Sequence, residues 1–311
     1  MNRYFYSLSR LIFASSVLCL SSSSVIAAPS EVKIFTDELA ELHEDSVEFH
    51  FNVARLRSPQ PGIRQTVIQA MPEYSYGFAK NWEFSLQFPT GHYGGTWRSN
   101  GVRTELQYVA PHDDDDGAYW GINAELARNS FFQEGRSTTL EVIPIIGLRT
   151  DQWHFVLNPG VTIPFSGETR RVSFEPSAKI AYRLTKNDQI GLEHYSELGP
   201  ARNFVPRPER YQMLYTAWDR KFGKIDFNIG IGRGRTEASD KWVAKMMVDF
   251  PLSKQVEPVL SRMVSMDCFG QASNHPWQLL KSGHAHYFFS QLPVSAQSTV
   301  SACWRPAGRH R

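Results

Sequence analysis

The chain has 311 residues, with 33 Lys and Arg against 31 Asp and Glu, a formal net charge of +2. Aromatic residues make up 13 % of the chain, which excludes a protein disordered along its whole length. Three cysteines exclude a disulfide-dense scaffold, and the nearly balanced charge gives no reason to expect a nucleic-acid partner. No run of about eighteen apolar residues is present, so the sequence predicts no membrane-spanning helix.

The first 27 residues have the pattern of an export signal. Arg3 and Arg10 accompany an apolar run from Leu11 to Leu20, and small residues end the segment near Ala27. This order of charged, apolar and small-residue regions is typical of a cleaved secretory signal peptide. We therefore predict that residues 1–27 are removed and that the mature protein is exported.

From residue 46 onward, apolar and polar residues alternate again and again, as in residues 47–53, 82–88 and 225–232. A period of two indicates a strand whose two faces lie in different surroundings. Most of the segments have about ten residues or more, which is long for a soluble strand but suits one that crosses a bilayer at a tilt. Twelve segments follow this pattern: 46–55, 66–78, 82–89, 101–110, 117–127, 138–149, 153–165, 172–184, 189–198, 211–219, 225–234 and 241–250.

The connections between these segments differ in length. Short turns are predicted at 79–81, 150–152, 185–188 and 220–224, and longer loops at 56–65, 90–100, 128–137, 166–171 and 199–210. Short turns at one end and long loops at the other are typical of outer-membrane barrels. Trp82, Trp120 and Trp153 open strands beside the short turns, as expected of an aromatic belt at a membrane interface.

These patterns predict an all-β protein, a transmembrane antiparallel β-barrel of about 12 strands over residues 46–250, with a non-barrel C-terminal tail. We expect it to lie in the outer membrane, in contact with outer-membrane lipid. A soluble sandwich is the alternative, and the many outward apolar runs disfavour it. Pro144, Pro159 and Pro176 lie inside predicted strands, which indicates bulges or a wrong register. The inward glycines 230, 232 and 234 predict spare room in the lumen.

The polar face of these strands is charged, and it must face a wet interior, because a charge facing hydrocarbon would cost about 2–4 kcal/mol. Two interpretations stay open: the charges neutralise one another and fill the barrel, or they line a path for a small polar or charged solute. Carboxylates outnumber bases, so a path would favour cations. The candidate lumen residues are Glu73, Arg103, Glu105, Glu125, Glu141, Glu175, Lys179, Arg183, Glu193, Asp226 and Lys245.

Catalysis and metal binding have weaker support. His194 and Ser196 lie two residues apart on one strand, where a base and a nucleophile of a lipid hydrolase can meet, but no clear neighbouring acid completes a triad. His50 and His154 face inward singly and predict no metal site. We therefore expect neither an enzyme nor a cofactor.

Several stretches resemble one protein family. They are residues 72–77 (Pro-Glu-Tyr-Ser-Tyr-Gly), 157–159 (Leu-Asn-Pro), 174–183, and 230–234 with 239–242. Together they resemble Gram-negative outer-membrane barrels akin to the so-called MetA-pathway-of-phenol-degradation barrels. The resemblance spans about residues 31–250 and implies a barrel linked to uptake of small, often aromatic, compounds. Its motifs are structural, so it carries over no catalytic or binding residue.

The segments that flank the barrel are harder to interpret. Residues 28–45 are predicted to form a periplasmic N-terminal segment, with either a short helix near 37–42 or a plug in the lumen. The closing strand ends in Phe250, which the barrel-assembly machinery is expected to read.

Residues 251–311 lack the alternation. Three hypotheses compete for this tail: a periplasmic extension with a Cys268–Cys303 disulfide, a weak metal-binding tract with His284 and His286, or a translated frameshift, which we favour. The function expected of the barrel is a channel or transporter for a small solute. The alternatives are a plugged structural or surface-interaction barrel and, third, the lipid hydrolase.

Overall fold

The computed structural model describes residues 32–59, 62–113, 116–131, 135–167 and 171–252. The predicted signal peptide and nearly all of the predicted tail lie outside these residues. The described chain is all-β, apart from a three-residue 3-10 turn at Arg207–Glu209. Within it, no helix has the length and apolar character needed to cross a membrane.

The strands follow one another with few long interruptions. They are β1 (Asp45–Arg55), β2 (Thr66–Ala79), β3 (Trp82–Gln87), β4 (Thr90–Tyr93), β5 (Thr96–Ser99), β6 (Gly101–Val109), β7 (Gly117–Phe131), β8 (Gly135–Arg149), β9 (Trp153–Ser166), β10 (Ser173–Arg183), β11 (Asp188–Glu197), β12 (Tyr211–Phe222), β13 (Ile225–Gly234) and β14 (Trp242–Leu252).

The sheet closes on itself because β1 pairs with strands on both of its sides. Asp45 lies opposite Tyr76 of β2 and Leu252 of β14, and the antiparallel pairing continues to Arg55. Closure leaves no sheet edge, so every strand of the wall has partners for its backbone in lipid. Strands β3 and β4 both pair with β2, so the wall counts twelve strands, as the alternation predicts, with β4 and β5 as two extra strands.

The two ends of the barrel differ. One end carries the short turns after β2, β8, β10 and β12, and we call it the short-turn end. The other carries the longer connections after β1 and β11, and we call it the long-loop end. The described chain enters β1 at the short-turn end.

Two predicted loops at the long-loop end are largely strand. Residues 90–99 form the β4–β5 hairpin, whose turn is made by Gly94 and Gly95 with φ of +58° and +103°, values that glycine adopts without strain. Strands β7 and β8 stay paired as far as Phe131 and Gly135, through most of the predicted loop 128–137. These loop predictions are wrong because these strand ends carry polar residues on both faces and so lose the alternation.

The outward face is apolar and exposed along the wall. Leu126 is 49 % exposed, Ile146 51 % and Ile231 62 %, which lipid and not water is suited to cover. At the short-turn end, aromatic rings touch across strands, with centroids 4.8 Å apart for Trp82 and Tyr108 and 5.0 Å apart for Trp153 and Tyr182. These contacts form the belt that the sequence predicts.

The prolines lie in register and not at bulges. Pro159 pairs with Pro176, and Pro144 pairs with Ile122, without a register shift at either place. Pairing between β8 and β9 is interrupted between Val142 and Ile146, and the register on both sides sets Pro144 opposite Pro159. The three prolines therefore form a row across β8, β9 and β10, and the bulge interpretation is wrong here.

The room expected above the inward glycines is occupied. A Cβ added at Gly232 would lie 2.5 Å from the ring of Tyr215, and one at Gly230 would lie 3.1 Å from the Lys245 side chain. The two glycines admit these larger side chains against the wall, so the prediction of spare lumen at β13 is wrong.

The lumen as candidate functional site

Residues 32–44, which we call the N-terminal segment, pass through the lumen and emerge at the short-turn end, where Leu42 is 49 % exposed. Val32 packs with Leu56, Tyr211 and Val243 near the long-loop end. The amide of His43 donates to the carbonyl of Gly77 at 2.7 Å, near the short-turn end. No helix forms at 37–42, so of the two interpretations the structure agrees with a segment in the lumen.

Against β1 and β2 the N-terminal segment is anchored by charge. Lys33 Nζ lies 2.8 Å from Glu48 Oε2 and 3.6 Å from Glu73 Oε1. His50 Nε2 lies 3.1 Å from Glu73 Oε2, so His50 is not isolated as the sequence suggested. One ligand atom from each of Glu48, His50 and Glu73 falls within 4.8 Å of the others, a donor set that suits a divalent cation. The ammonium of Lys33 supplies the positive charge there.

At mid-height the segment pairs with a strand through one side chain. Asn158 Oδ1 accepts from the amide of Phe35 at 2.9 Å, and Asn158 Nδ2 donates to the carbonyl of Phe35 at 3.0 Å. The ring of Phe35 packs with Tyr119, Ile143 and Ile145. Asn158 thus satisfies both backbone groups of a residue whose side chain is buried on the opposite side of the lumen from β1.

Toward the short-turn end the segment touches opposite walls. Gln107 on β6 donates to the carbonyl of Thr36 at 3.1 Å, and Lys221 on β12 lies 3.2 Å from Glu38. In a wall of twelve strands, β6 and β12 lie half a turn apart. Asp37 adds ion pairs to Arg149 and, at 2.9 Å, to His112. The segment therefore crosses the lumen in this half.

Three of the predicted lumen residues form one buried network. Lys245 Nζ lies 2.5 Å from Glu193 Oε2, and both side chains are 1 % exposed. Lys179 Nζ lies 3.5 Å from Glu193 Oε1 and 2.8 Å from Asp219. Lys245 also donates to the carbonyl of Val32 at 3.0 Å. This arrangement agrees with charges that neutralise one another.

Two further predicted carboxylates, Glu73 and Glu105, accept hydrogen bonds from the side-chain amides of Gln87 and Asn123. Gln87 Nε2 donates to Glu73 Oε2 at 3.2 Å and to Glu105 Oε1 at 2.5 Å. Asn123 Nδ2 donates to Glu105 Oε2 at 3.2 Å. Side chains from β2, β3, β6 and β7 therefore form a continuous polar layer on one side of the lumen.

Among the described residues, a cavity of about 230 Å³ lies toward the long-loop end, and we call it the outer cavity. It lies along β6–β12, with Lys33 and Phe35 of the N-terminal segment on its border. Arg103 and Glu125, 3.3 Å apart, are both in its lining. The lining is Lys33, Phe35, Arg103, Glu125, Asn129, Thr139, Glu141, Ile143, Thr162, Glu175, Pro176, Ser177, Tyr195, Ser196, Glu197 and Tyr211.

Of the eleven candidate lumen residues, the outer cavity brings together Arg103, Glu125, Glu141 and Glu175. Asp226 lies apart, near the short-turn end, 3.3 Å from Lys221. Arg183 is the last residue of β10 and lies at the same end.

Sequence reasoning missed the anchors of the N-terminal segment. Lys33 and Asp37 precede the first strand, so no period of two points to them. The only indication of a plug in the sequence was that apolar and charged residues occur together before β1. A plug was therefore one of two interpretations of this segment. Asn158 follows the alternation of β9, but its contact with the backbone of Phe35 could not be inferred from the sequence.

The hydrolase pair does not form a catalytic arrangement in the described residues. Ser196 Oγ lies 3.4 Å from both ring nitrogens of His194, a distance and geometry that favour neither as its base. No carboxylate contacts His194 within the described part of the chain, so nothing there orients the imidazole as a triad requires.

No known family model matches the chain, and no curated protein sequence matches it either. Among solved structures, it is similar to an outer membrane channel from Pseudomonas putida F1, with TM-score 0.53 and 10 % identity over 71 % of this chain and 100 % of that one. The KdgM porin in complex with disordered oligogalacturonate has TM-score 0.47 and 12 % identity, covering 66 % and 98 %. At such identity the first likeness shows the fold alone, and the narrower resemblance to MetA-pathway barrels stays a prediction. The chain has the fold of an outer-membrane β-barrel.

Proposed function

We propose that the protein is an outer-membrane channel for a small solute, and that its N-terminal segment closes the lumen in this structure. The observation that carries the proposal is the outer cavity, a polar space that lies beside the N-terminal segment. A solute would enter this cavity from the long-loop end. Its passage would require the segment to leave the half of the lumen near the short-turn end.

The way in which the segment is held supports a removable closure. Apart from Val32, Ile34 and Phe35, its contacts are mainly hydrogen bonds and ion pairs. Such contacts exchange with water at a modest net cost, typically about 0.5–1.5 kcal/mol for each hydrogen bond. A segment packed through a large apolar core would be harder to release.

The second candidate function is a closed structural barrel whose long loops contact partners. The observation that favours it is that the N-terminal segment contacts opposite walls, through Gln107 on β6 and Lys221 on β12. Under either function, outer-membrane lipid covers the outward face. We also propose that β14, which contains Phe250, is the strand that the barrel-assembly machinery reads.

Conductance of the refolded full chain in planar bilayers separates the two functions. We expect rare openings for the natural sequence and at least about tenfold more frequent openings for Lys33→Met/Asp37→Asn, which removes one charge from each anchored region of the segment. Lys186→Met/Asp151→Asn makes the same chemical changes on exposed short turns and should behave like the natural sequence.

Release of the segment is measured separately, by maleimide labelling of Ile34→Cys and mass spectrometry of that peptide. Ile34 is 8 % exposed, so labelling reports that it has left the lumen. A variant that is labelled rapidly yet never conducts would contradict the channel and support the structural barrel. A variant that stays unlabelled and closed would contradict the removable closure.

A further inference from the structure

We infer that the outer cavity is a binding site for a small organic cation, an amine with an apolar or aromatic part. The transport of such a solute rests on the proposed function, whereas its binding does not. The argument uses the charge of the lining, the spacing of two carboxylates and the side chains around them.

The lining of the outer cavity has an excess of negative charge. Four carboxylates belong to it, Glu125, Glu141, Glu175 and Glu197, against two cations, Arg103 and Lys33. Lys33 also lies 2.8 Å from Glu48, outside the cavity lining, so part of its charge is compensated there. An anion entering this space would meet a repulsive field, and a cation would meet an attractive one.

Two of the carboxylates lie on the strands that flank β9, in a diagonal arrangement. Glu141 on β8 pairs with Thr162 on β9, and Glu175 on β10 pairs with Gly160 on β9. The two glutamates therefore flank β9 from both sides with an offset of two residues along it, so their backbones lie about 12 Å apart. Gly160 faces inward between them, and a Cβ there would lie 3.3 Å from Glu141 Oε1. The missing side chain leaves room for the Glu141 carboxylate over β9, on the side of Glu175, so that one ammonium group can contact both carboxylates.

The rest of the lining suits an organic cation better than a metal ion. The aromatic residues Phe35, Tyr195 and Tyr211 belong to the lining, and Ile143 and Pro176 add apolar surface. Two of these rings already attract ammonium groups, since Lys33 Nζ lies 5.6 Å from the Phe35 ring and Lys245 Nζ 5.5 Å from the Tyr195 ring. Ring faces attract organic ammonium groups and also bind the apolar part of such a molecule. The described lining contains no His or Cys. A volume of about 230 Å³ limits the ligand to a small molecule.

The test is a binding measurement on the folded full chain in detergent micelles, with benzylammonium as the probe. Benzoate and benzyl alcohol have the same ring with a negative or a neutral group and are the controls. We expect calorimetry to detect benzylammonium, with an affinity that falls at high salt because charge attraction is screened. Equal binding of benzyl alcohol or of benzoate would overturn the inference.

The site is located by Glu141→Gln/Glu175→Gln, which should weaken benzylammonium binding at least about tenfold. The matched control is Glu209→Gln/Glu237→Gln, which removes two charges from exposed long-loop positions and should leave the affinity unchanged. If the double variant fails to fold, as judged by gel mobility without heating, each single variant is measured instead. Unchanged affinity in folded variants, or equal losses in the control, would overturn the assignment.

Conductance keeps this inference distinct from the proposed function. Cation binding in micelles without any channel activity would contradict the channel and leave the site standing. Channel activity without preference for benzylammonium over benzoate would contradict the organic-cation site and leave the channel standing.

Discussion

The two sides of the lumen use the same kind of residue in different ways. On the packed side, formed by β12, β13, β14, β1 and β2, charges such as Lys245 lie buried against partners and against the N-terminal segment. On the cavity side, the half of β7–β10 toward the long-loop end, Glu141 and Glu175 border an open space. The alternation of apolar and charged residues is alike on both sides. What differs is how closely the surrounding side chains and the N-terminal segment enclose these charges: Lys245 is 3 % exposed, whereas Glu141 and Glu175 are half-buried beside the cavity.

This difference changes what a charge contributes to the protein. A buried ion has lost its hydration and depends on its partner, so removing the partner is costly. A charge at the border of a cavity is less completely enclosed by protein, so its removal should have a smaller effect on stability. Substitutions on the packed side should therefore affect folding, and those on the cavity side should affect ligands.

The largest expected effect is that of Lys245→Met on the packed side. The change leaves Glu193, which is 1 % exposed, without its closest cation, and we expect the free energy of unfolding to fall by about 3–5 kcal/mol. Urea unfolding in lipid vesicles measures it. Lys245→Met/Glu193→Leu removes both charges and should recover most of the loss. A loss below about 1 kcal/mol in the single variant would show that the packed side is as wet as the cavity side.

A pH-dependent effect is expected at Asp240, in the connection between β13 and β14. Burial raises the pKa of Asp240 to about 7, although the hydroxyl of Tyr211 and the charge of Arg57 act in the opposite direction. The fold thus favours the protonated form. Protonated Asp240 therefore contributes to the stability of the fold. This contribution is complete below the ordinary pKa of 3.8 and is lost as the pH rises through about 7.

Asp240→Asn should remove this dependence. At pH 8 the variant should exceed the natural sequence in stability, by about 4 kcal/mol at most, because each pKa unit corresponds to about 1.4 kcal/mol. Near pH 4 the two should be close to equal. Urea unfolding at both pH values measures the difference, and parallel pH profiles for the two proteins would contradict the assignment.

The smallest expected effect compares two conservative changes. Gly232→Ala on the packed side places a Cβ 2.5 Å from the Tyr215 ring and should cost about 1–3 kcal/mol through displacement of that ring. Ser177→Ala on the cavity side should stay within about 0.5 kcal/mol. Equal costs, measured by the same urea unfolding, would show that the two sides are packed alike.

The parts of the fold that the sequence predicts are those that lipid constrains. Charged side chains on the outward face are costly in lipid, so apolar residues such as Leu126 and Ile146 recur with a period of two where a strand crosses. Beyond the membrane that constraint ends. The β4–β5 hairpin meets water on its exposed face, as at Thr96 and Arg98, and its sequence reads as a loop.

The candidate site could be predicted only in part, for a related reason. A charge such as Glu193 cannot face lipid, so its inward direction follows from the pattern. Its partner Lys245 is 52 residues away, and the contact depends on strand order and register around the barrel. The position of Lys33 depends further on a segment that has no strand pattern of its own. The pairing of these charges and the filling of the lumen therefore depend on the closed barrel and cannot be inferred from single strands.

The row of Pro144, Pro159 and Pro176 affects how many backbone groups of the wall lack a hydrogen-bond partner within the membrane. Pairing between β8 and β9 is interrupted at this level, and hydrocarbon offers no acceptor to a backbone N–H that lacks one. Proline has no such donor, so the interruption leaves fewer groups in need of a partner. Proline is disfavoured in the central strands of soluble sheets because it cannot donate a backbone hydrogen bond. At a gap in the pairing within a bilayer, the same property is an advantage. The suitability of proline at these three positions therefore depends on the hydrocarbon that surrounds the barrel.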